Sequence, residues 1–238
     1  MMTDEELYAK QWNVSAEYFY EKGYYTWMAE KLADYNVVLE IGCGTGYSTL
    51  ALIEKGYKVI AVDKNEECIT KAKSLIIEKG YTDDNVVFIL SDIAIDSERQ
   101  NMMDSYDCDV VVCWNGGSFW NRQMIEHYLP YMLEYGLNRQ QIAANPESSY
   151  SELIIWDTCR VAAEKGVAAD IVDRGAEVID ESTDPYYHLL KDEFNFHEIK
   201  YDTQRADSIT SGGRMLVTNG IVNSENKVDI VFVSVLYK

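Results

Sequence analysis

The sequence predicts an α/β fold built on a mostly parallel sheet, and three observations predict it. Between Asn36 and Cys113, short apolar runs alternate with helical stretches. The order strand, helix, strand, helix, strand makes parallel units with right-handed crossovers. The first apolar run ends directly in a glycine-rich turn. The last part of the chain alternates apolar and polar residues, the period of antiparallel strands.

Helical sequence runs from about Thr3 to Asp34, with a break near Gly23. Asn36–Ile41 is a short apolar run closed by glycine, which reads as a buried strand. Thr45–Lys55 is a helix ending at Gly56, and Lys58–Val62 is a second strand. Asn65 has the chemistry of an N-cap. Glu66 and Glu67 suit the first turn's dipole, and that helix runs to Lys79 before Gly80. Val86–Leu90 and Asp109–Cys113 are the third and fourth strands. Residues Asn121–Gly166 read as mostly helical, with breaks near Gly136 and Pro146, which is more than one crossover helix requires. Val167–Val172 is a fifth strand. From Phe194 onward, His197–Ser208, Arg214–Val222 and Val228–Tyr237 alternate as strands, joined by S-G-G and N-S-E-N turns.

The 238 residues suit one large domain, or a domain with a cap, and 47% hydrophobic content excludes a mainly disordered chain. Lys and Arg total 21 against 40 Asp and Glu, a net charge of −19. Residues 1–120 carry 10 basic and 21 acidic groups, and residues 121–238 carry 11 and 19. Neither half has the basic footprint that nucleic acid or an anionic membrane requires, so a neutral or cationic small molecule is the expected partner. The acidic start M-M-T-D-E-E-L has no signal-peptide character. Five scattered cysteines without a C-x-x-C pair read as reduced thiols, and a cytoplasmic location is expected. No His, Asp and Glu spacing indicates a metal site.

The chemistry concentrates in Glu40-Ile41-Gly42-Cys43-Gly44-Thr45-Gly46. Glycines let the backbone turn tightly and let a ligand approach closer than a Cβ would allow. A carboxylate at position 40 would repel a pyrophosphate but favour an ammonium group. Asp63 ends the second strand about twenty residues after the first glycine, where an acid can accept from ribose hydroxyls. Asp92 and Ile93 follow the third strand. Taken together, E-I-G-C-G-T-G, Asp63, Asp92 and the fourth strand D-C-D-V-V-V-C-W resemble, over roughly residues 36–120, the class I S-adenosylmethionine-dependent methyltransferases of the small-molecule type.

That resemblance implies a doubly wound, Rossmann-like, mostly parallel seven-stranded sheet with an antiparallel C-terminal strand. It implies S-adenosylmethionine as cofactor and S-adenosylhomocysteine as product, with no metal. It also implies a binding shell of Glu40, Gly42, Cys43, Gly44, Gly46, Asp63, Lys64, Asp92, Ile93 and Cys113. In the family, the acid matching Asp92 accepts from the adenine amino group and the residue matching Ile93 packs on the ring. The end of the fourth strand faces the transferable methyl.

In-line displacement from a sulfonium gains most of its rate from alignment and desolvation, so a dedicated base is optional. Cys113-Trp114-Asn115-Gly116-Gly117-Ser118-Phe119-Trp120 lacks the N/D-P-P-Y/F signature of nucleic-acid amino methyltransferases. Asn115 can hold an amine through its carbonyl, while Trp114 and Trp120 can wall a cation. Of the three histidines, His127, His188 and His197, His127 lies in the helix after the fourth strand, within reach of the acceptor. Tyr18 stands with Trp12, Phe19, Tyr20, Tyr24, Tyr25 and Trp27 on an aromatic N-terminal segment. The catalytic candidates are thus His127, Asn115, Tyr18 and Trp114.

The expected organisation is an N-terminal helical lid (1–35) and a methyltransferase domain (36–238). Within the latter, a helical insertion (115–166) and antiparallel strands (194–238) form a substrate cap. The expected activity is methyl transfer to a small molecule, with nitrogen favoured over oxygen or carbon, by a monomer or homodimer. A protein methyltransferase, a non-catalytic cofactor-binding module and a dinucleotide-dependent oxidoreductase are the alternatives.

Overall fold

The computed structural model describes residues 2–121, 123–184, 186–213, 217–218, 221–222 and 226–238. Two helices open the chain, α1 (Asp4–Glu21) and α2 (Tyr24–Glu30). A capping box starts α1: Thr3 Oγ1 accepts from the Glu6 amide (3.1 Å), and Glu6 Oε2 accepts from the Thr3 amide (2.7 Å). There follow β1 (Val37–Ile41), α3 (Tyr47–Glu54), β2 (Lys58–Asp63), α4 (Glu66–Glu78), β3 (Val86–Leu90), α5 (Asp96–Ser105) and β4 (Val110–Trp114). Asn65 caps α4 as its chemistry predicts, accepting from the amides of Glu67 and Cys68.

Beyond β4 come α6 (Met124–Tyr135), α7 (Arg139–Ala144), α8 (Pro146–Lys165), β5 (Ala168–Gly175), α9 (Tyr187–Glu193) and β6 (Ile199–Ile209). Pro146 opens α8 at the position where its missing N–H costs no helical hydrogen bond. The short pair β7 (Val217–Thr218) and β8 (Ile221–Val222) forms its own two-stranded sheet, and β9 (Lys227–Tyr237) ends the fold. The rest of the strand expected over Arg214–Val222, namely 214–216 and 219–220, and 223–225 of the expected N-S-E-N turn, lie outside the described residues.

The main sheet has seven strands in the order β3-β2-β1-β4-β5-β9-β6. The first five run parallel, and β9 is antiparallel to both neighbours. The strand order reverses between β1 and β4, which opens a crevice at their carboxyl ends, the usual ligand position in open α/β sheets. From the stretch 194–238, β6 and β9 join the main sheet beyond β5. Helix α5, which no sequence reading anticipated, crosses between β3 and β4.

The period of two along each strand sorts side chains between two layers. Val38, Val59, Val112 and Trp114 face α1–α4, while Leu39, Ile41, Val62 and Cys113 face α5, α6 and α8. Among the described residues no helix is long and apolar enough to cross a membrane, and no group of three or more His, Cys, Asp or Glu could hold a metal ion.

Candidate active site

A cleft lies over the carboxyl ends of β1, β2, β3 and β4. Its lining includes Gly42, Gly44, Asp63, Lys64, Asp92, Ile93 and Asn115, together with Tyr8 and Trp12 of α1 and Tyr150 and Ile154 of α8. The empty space, open mouth included, is about 580 Å³. The turns after β1 and β4 meet at its floor: a Cβ on Gly42 would lie 3.5 Å from Gly116 Cα. Gly44 has φ +54°, a backbone that glycine adopts without strain.

Asp63 ties the glycine turn to the start of α4. Its Oδ2 accepts from the Gly44 amide and its Oδ1 from the Asn65 amide, each at 2.8 Å. Burial pushes its carboxyl up, and those two amides act in the opposite direction. Asp92 accepts from the Tyr128 hydroxyl and from the Ala94 amide (3.1 Å).

Lys64 turns inward. Its Nζ lies 4.0 Å from the Tyr150 ring centre and 4.6 Å from that of Tyr128, whose hydroxyl it also reaches at 3.3 Å. Burial lowers its pKa to about 8, although Asp92 and Asp63 favour its charge.

Asn115 follows β4 with φ +58° and is buried, and its amide donates to the Val172 carbonyl (2.8 Å). Neither Oδ1 nor Nδ2 of its side chain has a hydrogen-bond partner. Thr45 Oγ1, in the glycine turn but not on the cleft wall, is also buried without one. Buried polar atoms are nearly always paired, so such unused capacity at a cleft marks a place for a ligand. The shape and polarity of the cleft therefore fit an adenosyl ligand: a glycine turn, an acid beyond β2, an acid beyond β3, and free polar atoms at the end of β4.

Several sequence candidates do not line the cleft. Glu40 sits under α3, where Ser48 Oγ (2.5 Å) and Thr49 Oγ1 (2.6 Å) both donate to it. Burial raises it to about 7 against those hydrogen bonds. Cys43, Gly46 and Cys113 are packed behind the turns, and burial pushes the Cys113 thiol up to about 12. Trp114 is a correction: the alternation of β4 turns it into the α1–α3 layer, where its Nε1 donates to Asp170 (2.8 Å). Tyr18 is another, since its hydroxyl donates to Asp207 of β6 (2.6 Å) beside that of Tyr24 (2.7 Å). His127 is exposed on α6. Trp120 packs on Tyr150 at 5.6 Å and is absent from the lining. His188 bonds Asp184 and Tyr201, and His197 lies at the opposite edge of the sheet beside Lys238. Phe19, Tyr24 and Tyr25 are core residues.

Sequence reasoning missed Tyr8, Tyr128, Tyr150 and Ile154. Helical spacing carried the signal: Tyr8 is four residues before Trp12, and Met124, Tyr128 and Met132 form the buried stripe of α6. Tyr8 reaches over the cleft, its hydroxyl 2.7 Å from Ser118 Oγ and its ring 5.0 Å from that of Phe119.

The family model described as "Methyltransferase domain" matches residues 38–134, from β1 to α6. No curated protein sequence matches the chain. Among solved structures, PH1948 from Pyrococcus horikoshii shares 11% identity with a TM-score of 0.51, over 90% of this chain and 79% of that one. EvdMO1 shares 15% identity at a TM-score of 0.50, over 90% of this chain but 40% of its own. Magnesium protoporphyrin IX methyltransferase (ChlM) from Synechocystis PCC 6803, solved with bound SAM, shares 12% at 0.48, over 91% and 79%. At these identities the likeness is one of fold.

Proposed function

We infer that this chain, whose residues 38–134 match a methyltransferase domain, is an S-adenosylmethionine-dependent methyltransferase of class I and that the methyl goes to an amine nitrogen of a small molecule. Bound S-adenosylmethionine supplies a methyl whose bond to sulfur breaks as the acceptor's lone pair attaches, sulfur keeping the electron pair. In this reading the turn Gly42–Gly46 and Asp63 hold the amino-acid and ribose parts, and Asp92 and Ile93 hold the base.

The observation that carries the amine reading is Asn115. It stands at the end of β4 in the cleft, buried, with its amide oxygen and nitrogen both unpartnered. An amide oxygen there accepts an acceptor N–H and so turns the nitrogen lone pair away from it, across the cleft. The positive φ fixes the side chain's direction at a backbone geometry that asparagine tolerates better than most residues. Tyr8, Trp12 and Phe119 supply ring faces for an apolar or cationic amine. Closure of α1 over the amine removes water and favours its neutral, nucleophilic form. The released proton passes to solvent.

The net charge of −19 favours such an acceptor over a polyanion. Lid action by α1 and α2, a monomeric or homodimeric state, and a cytoplasmic location belong to the same reading. The last is supported by five free cysteines.

The test incubates the purified chain with S-adenosylmethionine and separate pools of small amines, phenols and thiols, and measures S-adenosylhomocysteine. The reading expects turnover in an amine pool. Turnover confined to the phenol or thiol pool would replace it.

A further inference from the structure

Ser91, Asp92 and Ile93 line the cleft in succession, and each is held from outside it by α5. Glu98 Oε2 accepts from the Asp92 amide (2.7 Å) and from the Ser91 hydroxyl (3.1 Å). Arg99, only 6% exposed, donates from Nη1 to the Ile93 carbonyl (2.7 Å). The same guanidinium pairs with Asp96 of its own helix and, at 3.3 Å, with Asp157 of α8. Asp157 is itself 2% exposed. It lies three residues after Ile154 and seven after Tyr150, so the face of α8 that lines the cleft runs on into this ion pair. Ile93, Tyr150 and Ile154 all line the cleft. The guanidinium thus joins the loop that carries Ile93 to the helix that carries Tyr150 and Ile154.

We propose that Arg99 is a positioning residue for the cofactor: by joining the Ile93 carbonyl to α8 it sets the width of the slot that receives the planar base, without touching the ligand. This rests on the cofactor reading. A buried ion pair is weak support for stability as such, and apolar replacement of both partners is often neutral or stabilising. Position and stability can therefore be separated. In Arg99→Met the Ile93 carbonyl loses its donor, and Asp157 loses the nearer of its two cations and keeps Arg160 at 3.6 Å. In the double variant Arg99→Met/Asp157→Leu the buried ion pair is replaced by apolar groups, Arg160 keeps Asp96 at 3.9 Å, and the lost link to Ile93 is the change that faces the cleft.

The experiment titrates S-adenosylhomocysteine and its hypoxanthine analogue, S-inosylhomocysteine, into wild type and both variants by calorimetry, with thermal midpoints in parallel. The expected result is a Kd for S-adenosylhomocysteine at least tenfold higher in both variants. The ratio of the two Kd values should move towards one, while the double variant melts near the wild type. A double variant with the wild-type Kd and the wild-type ratio would overturn the proposal, whether or not the single variant folds. A wild type that binds neither ligand would instead remove the cofactor reading, and this proposal with it.

Discussion

The indole of Trp12 stands directly over Gly44: a Cβ at position 44 would lie 2.4 Å from Trp12 Nε1 and 2.7 Å from its Cδ1. A helix that precedes the sheet in sequence is thus fitted to the glycine turn at its centre. Gly44→Ala must push Trp12 away and also strain a backbone at φ +54°. We expect a loss of about 1–2 kcal/mol in stability and at least a tenfold rise in the Kd for S-adenosylhomocysteine. Gly56→Ala is the control, because φ there is +93° but nothing lies within 4 Å. It should lower the melting temperature and leave the Kd unchanged. Equal effects on binding would show that Gly44 acts through strain alone.

Asp63 offers the second handle on the cofactor. Its two amide partners, Gly44 and Asn65, would both be stranded in Asp63→Ala. Losing a charge-assisted acceptor costs roughly 1–3 kcal/mol, or about ten- to hundredfold in affinity. Calorimetry with S-adenosylhomocysteine measures it, and an affinity within twofold of wild type would remove Asp63 from the cofactor shell.

Stability should fall as pH rises through neutrality. Burial raises Glu40 and Asp157 to about 7 and Asp170 to about 6. For an acid whose folded pKa is raised, the folded state binds the proton more tightly than the unfolded chain. The resulting stability is complete below the unfolded value near 4 and is lost as pH climbs through 6 to 7. The thermal midpoint should therefore be higher at pH 6 than at pH 8. Glu40→Gln should flatten that slope, since the amide no longer titrates. A midpoint that rises from pH 6 to pH 8 contradicts this.

Trp114, His127 and Tyr18 should prove separable from chemistry. Trp114→Phe leaves the buried Asp170 carboxylate with only the Ser234 hydroxyl (2.8 Å), a cost of about 1–3 kcal/mol in stability. Its Kd for S-adenosylhomocysteine should stay within threefold of wild type. His127→Ala, on an exposed face of α6, and Tyr18→Phe, at the Asp207 contact, should turn over normally with any acceptor found. A loss of turnover beyond tenfold in His127→Ala would bring α6's outer face into the site.

The order of β1 to β4, and of the helices between β1 and β3, was legible because each signal is local. An apolar run, a glycine turn and an asparagine cap need no partner elsewhere in the chain. Asp63, Asp92, Ile93 and Asn115 were legible for the same reason, since each follows directly on a strand end that the fold brings to one edge. Helix α5 was not, because D-S-E-R-Q-N-M-M-D-S is polar on most sides and Ile95 caps it without a side-chain hydrogen bond. Trp114 was misread because the alternation of β4, which sends Cys113 towards α8 and Trp114 towards α1, decides its direction. Aromatic content does not. The contacts of Tyr150 with Lys64 and of Asp157 with Arg99 join elements more than fifty residues apart, and no spacing in a single segment announces them.

The central claim is that Asn115 meets the acceptor and not the cofactor, and one comparison tests it most directly. Asn115→Gly accepts φ +58° without strain and deletes the amide, so the backbone of the β4 turn is preserved. The measurement is S-adenosylhomocysteine formation with the amine identified in the pools, at saturating S-adenosylmethionine, beside the Kd for S-adenosylhomocysteine. The account predicts a Kd within threefold of wild type and turnover reduced at least a hundredfold, about 2.7 kcal/mol of barrier. Wild-type turnover in Asn115→Gly, or a loss confined to cofactor binding, would contradict it.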